Sequence, residues 1–160
     1  VGAWTPATVG SLLVLSDGAF EFDASGLAAG TIATFTYEAC DGDPTLCSAT
    51  TATITVVAAP NIAPIAVDDT TSIVRNTSLI GFDIVANDED VDGTVDATSV
   101  VITTGTATQR GGTVQNNGDG TVDYVPPSPG FRGTDSFQYT VNDDDGETSN
   151  VATVRINVTR

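Results

Sequence analysis

The chain contains an internal repeat, and this feature constrains its fold more tightly than any other. The segment FTYEACD at residues 35–41 matches FQYTVND at residues 137–143, and DGAFEF at residues 17–22 matches DGTVDY at residues 119–124. Both pairs of segments are 102 residues apart. A spacing of about 100 residues is the length of one β-sandwich domain. The repeat therefore predicts consecutive sandwich domains rather than one large domain.

The two copies are expected to be of unequal length. A closing segment, ATITV at residues 52–56, matches ATVRI at residues 152–156 with a spacing of 100 residues. The loop that contains the cysteines should therefore be two residues longer than its counterpart in the second copy. Residues 59–160 can form a whole repeat, whereas residues 1–58 match only the later motifs of one. We therefore predict a complete sandwich at residues 59–160. An incomplete unit, the second half of a repeat, should precede it at residues 1–58.

Composition and alternation predict that the regular elements are strands. Most of the acidic residues are Asp, which favours turns over helices, and the commonest residues include the β-branched Thr and Val. The chain also has 16 Gly and 7 Pro, which punctuate short elements. In the second copy we predict strands near residues 64–69, 71–75, 79–85, 99–103, 112–116, 121–125, 135–141 and 150–158. The predicted fold class is all-β, an antiparallel β-sandwich.

The strong negative charge excludes some classes of partner. The chain has 5 basic residues, all of them Arg, and 21 acidic residues, which gives a formal net charge of −16. Such a surface repels phosphate backbones and anionic lipids, so we expect no nucleic-acid binding and no membrane insertion. Divalent cations are better candidates, because hard ions prefer carboxylate oxygens.

The cysteines and the absence of histidine limit the chemistry. Cys40 and Cys47 are the only thiols, and the chain has no His, so a zinc site lacks ligands. We predict that the two thiols close a small loop as a disulfide, which implies an oxidising compartment; the alternative is that they stay free. Without His the usual nucleophile–base pairs are missing, and we predict that the protein is not an enzyme.

Three acidic clusters supply candidate metal ligands. In NDEDVDG at residues 87–93, alternate carboxylates precede a glycine, the spacing of a calcium loop whose side chains converge on one point. It is not an EF-hand, because position 12 counted from Asp88 is Ser99, whereas an EF-hand has Glu there. The alternative is that these carboxylates are solvated side chains of turns and bind no metal. The candidate Ca²⁺ ligands are Asp88, Asp90, Asp92, Asp68, Asp69, Asp143 and Asp145.

The second copy resembles a known family in the order and spacing of its motifs. The segments concerned are IAPIAVDDT at 62–70, IVANDEDVDG at 84–93, GTV at 112–114, DGTVDYVP at 119–126 and FRGTDSFQYTVND at 131–143. They are similar to the tandem cadherin-like or Ig-like repeats of large bacterial surface proteins. The resemblance implies an Ig-like or cadherin-like sandwich in a secreted or surface-anchored protein, often an adhesin. It also implies calcium, which rigidifies many members.

Two functions are consistent with these features. The first is an extracellular structural or adhesive module, a calcium-stiffened spacer of a large cell-surface protein. Its partners would be neighbouring repeats of the same chain or neighbouring copies of the same protein. The alternative is a self-assembling subunit of a surface filament or sheath, in which a neighbouring chain supplies strands to the half-domain. The sequence identifies no glycan or other surface ligand.

Overall fold

The chain folds into strands joined by turns. A computed structural model describes residues 9–15, 18–41 and 46–160, so Asp17, which opens one of the matching segments, lies outside the described residues. The regular elements of the described part are all strands, which confirms the all-β fold class. No helix in that part is long and apolar enough to cross a membrane. The chain divides into two compact units, residues 1–60 (unit 1) and residues 61–160 (unit 2).

Unit 1 contains two antiparallel hairpins. Its strands are β1 (Ser11–Val14), β2 (Phe20–Asp23), β3 (Ile32–Cys40) and β4 (Cys47–Thr55), with β1 paired to β2 and β3 paired to β4. Phe35 is buried, and its ring centroid lies 5.1 Å from that of Phe20 and 6.3 Å from that of Tyr37. Cys40 and Cys47 are opposite each other at the end of the second hairpin and form a disulfide, as predicted.

Unit 2 is a sandwich of two sheets. One sheet has four strands in the order β5-β11-β10-β7, and the other has three in the order β6-β9-β8. Neighbouring strands are antiparallel apart from β5 and β11, which are parallel. The strands are β5 (Asp69–Val74), β6 (Leu79–Asp83), β7 (Val95–Ile102), β8 (Thr113–Asn116), β9 (Thr121–Val125), β10 (Gly133–Asp143) and β11 (Ala152–Thr159).

The core of unit 2 lies between its two sheets. Alternate residues of β10 and β11 point inward and are buried, as the period of two in a strand requires. Inward residues of β8 and β9 meet them from the other sheet. The buried cluster comprises Ala66, Ile84, Val100, Val114, Val122, Tyr124, Phe137, Tyr139, Val141, Ala152, Val154, Ile156 and Val158.

The strand register shows that the two units repeat with one constant spacing. Phe35 is paired with Ala52 in unit 1, and Phe137 is paired with Val154 in unit 2. Phe137 follows Phe35 by 102 residues, and Val154 follows Ala52 by the same 102 residues. The spacing of 100 residues expected for the closing strand is therefore wrong by two. Side chains in a strand alternate with a period of two, so sequence matching cannot detect a slip of two residues.

A glycine packed on an aromatic ring also recurs at this spacing. A Cβ atom on Gly10 would lie 2.6 Å from Phe22 Cζ, and one on Gly112 would lie 2.8 Å from Tyr124 Cε2. Each glycine therefore lets the backbone cross directly over the ring of the neighbouring strand, where any side chain would clash. The sequence analysis did not recognise this glycine–aromatic pair, although Gly112 follows Gly10, and Tyr124 follows Phe22, by 102 residues.

The predicted strand at residues 64–69 does not form. Within residues 64–68 the only ladder contact is an isolated bridge between Ile65 and Glu89. The backbone N–H groups of Ala66 and Val67 instead donate to side chains, Asn150 Oδ1 at 3.0 Å and Asp88 Oδ1 at 2.7 Å. Side-chain acceptors thus replace a partner strand here, and β5 begins only at Asp69.

A buried carboxylate ties a loop to the core of unit 2. Asp135 is fully buried, and its Oδ2 accepts hydrogen bonds from Thr108 Oγ1 at 2.5 Å and from Tyr124 OH at 3.0 Å. Its Oδ1 accepts from the backbone N–H of Arg110 and of Ser136, each at 2.8 Å. The carboxylate therefore holds the β7–β8 loop against β9 and β10.

Candidate metal centre

The segment that enters unit 2 is bonded to two loops of that unit. Asn61 Nδ2 donates to Asp143 Oδ2 at 2.8 Å, and the backbone N–H of Ile62 donates to Asp92 Oδ2 at 3.2 Å. Asp143 ends β10, and Asp92 lies in the β6–β7 loop. These bonds bring the entry segment, the β6–β7 loop and the β10–β11 loop together at one end of the unit.

Two further carboxylates meet above Gly93. A Cβ atom on Gly93 would lie 2.5 Å from Asp144 Oδ1 and 2.7 Å from Asp90 Oδ2. Both oxygens thus occupy the space beside one Cα, where only glycine leaves room for them. Asp90 comes from the β6–β7 loop and Asp144 from the β10–β11 loop, so this pair joins the same two loops.

Asp90 Oδ2 is buried without a hydrogen-bond partner. Among the side-chain nitrogen and oxygen atoms of the described residues, it is the one buried atom in this state. Asp144 Oδ1 differs, because it accepts from the backbone N–H of Thr94 at 2.7 Å. An unpartnered buried carboxylate oxygen is unfavourable, and a cation beside it would remove that penalty.

Asp143 is held in its ionised form. Its Oδ1 accepts from the backbone N–H groups of Glu147 at 2.8 Å and Asp145 at 3.1 Å. Burial alone would raise the pKa of Asp143, but the hydrogen bonds from Asn61 and from the loop backbone outweigh burial and lower the pKa. The carboxylate therefore carries its negative charge at neutral pH, as a cation ligand must.

A second group of carboxylates lies around the Tyr139 hydroxyl. That hydroxyl oxygen is 2.6 Å from Ile84 O, 3.0 Å from each carboxylate oxygen of Asp88 and 3.4 Å from Asp69 Oδ2. All of these atoms are acceptors, and one hydroxyl proton cannot satisfy them together. Burial, followed by the charge of Asp88, raises the pKa of Asp69 to about 7. Burial also raises the pKa of Asp88.

The remaining sequence-predicted ligands have other partners. Asp68 Oδ1 accepts from the backbone N–H of Thr153 at 2.7 Å, and Asp68 Oδ2 forms an ion pair with Arg155 at 2.7 Å. The hydrogen bonds from Arg155 and Thr153 lower the pKa of Asp68. The Asp145 side chain is exposed, and the residue contributes its backbone N–H to Asp143.

The alternate carboxylates of the β6–β7 loop do not converge on one point. Asp88 turns towards Tyr139, Asp90 towards Gly93, and Asp92 towards the backbone of Ile62. Hydrogen-bond donors from distant parts of the chain decide these directions, and spacing within the loop cannot reveal them. In the part of the chain that the structure describes, no group of three or more acidic or thiol side chains forms a ready metal-binding cluster.

Sequence reasoning missed two residues, Asn61 and Asp144, that contact the acidic loops at the entry to unit 2. Asn61 is the first residue of unit 2 and carries no charge, so charge alone does not single it out as a partner of Asp143. Asp144 lies between the predicted ligands Asp143 and Asp145, but it was not itself predicted to be a ligand. The useful signal was Gly93, because a glycine after alternate carboxylates indicates close packing at that point.

Comparison with known proteins identifies a domain family for residues 61–160. A family model described as a bacterial cadherin-like domain matches residues 61–160. Among curated proteins, none matches the chain significantly. The chain is similar to the protocadherin GammaB4 extracellular domain, with 15% identity and a TM-score of 0.44, over 99% of this chain and 27% of that chain. It is also similar to an endo-fucoidan hydrolase of glycoside hydrolase family 107, with 21% identity and a TM-score of 0.37, over 98% and 23%. The chain thus spans about a quarter of each of these structures.

Proposed function

This chain belongs to the family of bacterial cadherin-like domains, and from that membership we propose that it is an extracellular spacer module stiffened by calcium. Cadherin-like domains are typically extracellular adhesive or structural modules. The spacer role is the finer proposal, in which the module holds a distance at the cell surface. Its partners are then neighbouring repeats of the same chain or neighbouring copies of the protein.

The observation that carries the calcium proposal is the unpartnered, buried Asp90 Oδ2. It lies beside the same glycine as Asp144 Oδ1, so two carboxylate oxygens from different loops approach one place. Calcium binds oxygen ligands and tolerates irregular geometry, which suits a pair of loop carboxylates. The formal net charge of −16 further favours a divalent cation over an anion or a second acidic surface.

Asp90 and Asp144 would hold the ion, while Asp92 lies in the same loop as Asp90 and Asp143 directly precedes Asp144. Asp92 and Asp143 already accept hydrogen bonds from Ile62 and Asn61, so both are tied to the segment that enters the unit. A cation at this end would neutralise neighbouring carboxylates of two loops. Calcium would therefore stiffen the entry to unit 2, which is the property that a spacer needs.

A calorimetric titration tests the metal site. Calcium added to chelator-treated protein should release or absorb heat and should raise the melting temperature of unit 2. Asp90→Asn and Asp144→Asn should each weaken calcium binding by at least about tenfold, equivalent to about 1.4 kcal/mol. Asp119→Asn is the matched control, because Asp119 is an exposed turn carboxylate on the β8–β9 hairpin. The absence of both heat and a melting-temperature gain at millimolar calcium would refute the site.

Gly93→Ala provides a second test that leaves every carboxylate in place. The new methyl group would collide with Asp90 Oδ2 and Asp144 Oδ1 and separate them. Calcium affinity should fall by about tenfold or more. Val91→Ala, at a highly exposed position of the same loop, should leave affinity unchanged. Equal affinity of the two variants would show that the ion binds elsewhere.

We propose no catalytic role for the chain. It has no His, and its two Cys residues are joined in a disulfide. The buried carboxylates of Asp135 and Asp143 are engaged by hydrogen bonds. Assays with polysaccharide and peptide substrates should give no turnover above that of buffer.

A further inference from the structure

A polar pocket lies on the outer face of the four-stranded sheet of unit 2. Its volume is about 440 Å³, within the range of about 300–1,000 Å³ that small-ligand sites have. The floor consists of residues of β10 and β11, and one wall consists of the loop between β7 and β8. The pocket is therefore large enough for a small ligand, and all of its lining comes from unit 2.

The wall of the pocket is fixed to the floor near both of its ends. The backbone N–H of Thr103 donates to Gln138 O at 2.9 Å, and that of Gln109 donates to Ser136 O at 2.8 Å. The Ser136 hydroxyl also donates to Gln109 Oε1 at 3.1 Å. From the core side, the buried carboxylate of Asp135 holds the same loop. The pocket is thus formed before a ligand arrives, so little conformational freedom is lost on binding.

The lining offers hydrogen-bond donors and acceptors together. Gln109 and Gln138 each carry an amide, which donates and accepts, and the hydroxyls of Thr104, Ser136 and Thr153 also do both. A hydroxyl group of a ligand has the same double capacity, so a ligand with several hydroxyls can be matched at several points. The chemistry of the lining therefore fits a polyhydroxylated ligand.

The charges at the pocket favour an uncharged ligand. Arg155 is the charged residue of the lining, and its guanidinium is already paired with Asp68 at 2.7 Å. A ligand carboxylate would compete with Asp68 and would approach a chain whose formal net charge is −16. A cation would find no carboxylate among the lining residues that the structure describes. Anions and cations are thus both disfavoured.

The pocket lacks the features of a peptide site. Peptides usually anchor a large side chain in an apolar cavity or add a strand to a free sheet edge. In this pocket Ala107 offers only a methyl group, and Phe137 is 1% exposed because its ring belongs to the core. The floor strands β10 and β11 are inner strands of the sheet, so they offer no free edge.

We propose that this pocket binds an uncharged saccharide. The sugar hydroxyls bond to the amides of Gln109 and Gln138 and to the hydroxyls of the lining. Arg155 donates to a sugar oxygen with N–H groups that its ion pair with Asp68 leaves over, since a guanidinium has five of them. The affinity is in the millimolar range, because the lining residues include no exposed aromatic ring for the sugar to stack on. None of the lining residues is a proposed calcium ligand, so the saccharide site is independent of the metal site.

An NMR titration of the whole chain of 160 residues tests the site, with cellobiose, maltose and lactose as the probes. At least one of them should shift the backbone amide signals of Gln109, Ser136 and Gln138 until saturation and leave those of β6 unchanged. Digalacturonate and triglycine, the charged and the peptide counterparts, should give no saturating shift. The proposal fails if none of the three saccharides gives one, or if digalacturonate or triglycine binds more tightly than they do.

Gln138→Ala removes one amide from the floor of the pocket. Saccharide affinity should fall at least about fivefold, the effect of one lost hydrogen bond. Gln115→Ala is the matched control, because Gln115 is an exposed amide on β8, in the other sheet, and should leave affinity unchanged. Equal affinities of the two variants would show that the saccharide binds elsewhere and would overturn the proposal.

Ala107→Leu fills the pocket and leaves every polar group of the lining in place. This variant should lose saccharide binding and keep calcium binding, which separates the two sites. Thr106→Leu is the control, because the neighbouring Thr106 borders a different surface depression beside β8 and should bind like the parent. Saccharide binding at the parental affinity by a folded Ala107→Leu variant would overturn the proposal. If that variant does not fold, the exposed substitution Gln138→Ala decides the question.

Discussion

Asp135 shows how one buried charge can organise a loop. Four donors from the side chains of Thr108 and Tyr124 and the backbones of Arg110 and Ser136 surround its carboxylate. Burial alone would raise the pKa of Asp135, but these hydrogen bonds outweigh it and lower the pKa. The stabilisation it gives is therefore complete above the unfolded pKa of about 4 and is lost as the pH falls through the lower folded value.

We predict that Asp135→Asn lowers the free energy of unfolding of unit 2 by about 3 kcal/mol. The side-chain amide nitrogen of the new Asn cannot accept the hydrogen bonds that a carboxylate oxygen of Asp135 accepts. The negative charge would also be lost. Urea denaturation at pH 7 measures the change, with Asp119→Asn as the exposed control. A loss below about 1 kcal/mol would mean that the loop finds other acceptors.

Asp69 should have the opposite effect on pH dependence. Its folded pKa is raised to about 7, so between about pH 4 and pH 7 the folded state holds a proton that the unfolded chain has released. The free energy of unfolding should therefore fall as the pH rises over that interval. Asp69→Asn mimics the protonated carboxyl and should remove this fall.

Denaturation in the presence of a chelator at pH 4, 6 and 8 tests the prediction for Asp69. The variant should match the parent at pH 4 and exceed its melting temperature by roughly 5 °C at pH 8. Asp145→Asn is the control, because the Asp145 side chain is exposed and is not among the groups that shift the pKa of Asp69. Parallel pH profiles of Asp69→Asn and the parent would contradict the prediction.

At the scale of elements, alternation predicted the inner strands well. The expected strands at residues 112–116 and 121–125 agree with β8 (Thr113–Asn116) and β9 (Thr121–Val125), because apolar and polar residues alternate between clear turns. The strand expected at 99–103 begins earlier, at Val95. The first residues of β7 include polar side chains, so the sequence pattern did not indicate a strand there. Residues 64–68 are irregular because the backbone N–H groups of Val67 and Ala66 donate to Asp88 and Asn150. The local sequence pattern does not reveal these hydrogen bonds.

The disulfide of the β3–β4 hairpin provides a prediction at this scale. Cys40 and Cys47 are cross-strand partners at the end of a hairpin that belongs to a two-stranded sheet in the described structure. Replacing both with Ser should destabilise the hairpin by about 2–3 kcal/mol, because the small loop is no longer closed covalently. Hydrogen exchange should accelerate in β3 and β4 and stay unchanged in β10 and β11. Equal acceleration in both hairpins would show that the bond acts on the whole chain.

At the scale of the whole molecule, the sequence predicted the fold class and the repeat, and it named acidic residues as candidate ligands without showing which of them meet. The candidate ligands Asp90, Asp92 and Asp143 lie near the entry to unit 2, a position that the sequence pattern did not indicate. Their pairing with Asn61 and Asp144 depends on contacts between loops about 50 residues apart or more. Such contacts follow from the sandwich topology, which local spacing does not contain.

We predict that residues 61–160 fold on their own. Unit 2 has a continuous core between two sheets, and both faces of that core come from its own strands. The isolated unit should unfold in one cooperative transition within about 3 °C of the corresponding transition in the full chain. Calorimetry measures both. A much lower transition temperature would mean that unit 1 supports unit 2.

The parallel pairing of β5 with β11 has a mechanical consequence. These strands are the first and the last of unit 2, and they are in register from Asp69 with Val154 to Val74 with Thr159. Tension applied to the two ends of the unit pulls β5 and β11 in opposite directions along their length. The hydrogen bonds between them are then loaded together in shear, instead of opening one after another as at the end of a hairpin. A module built in this way resists stretching at the very strands through which force enters and leaves it.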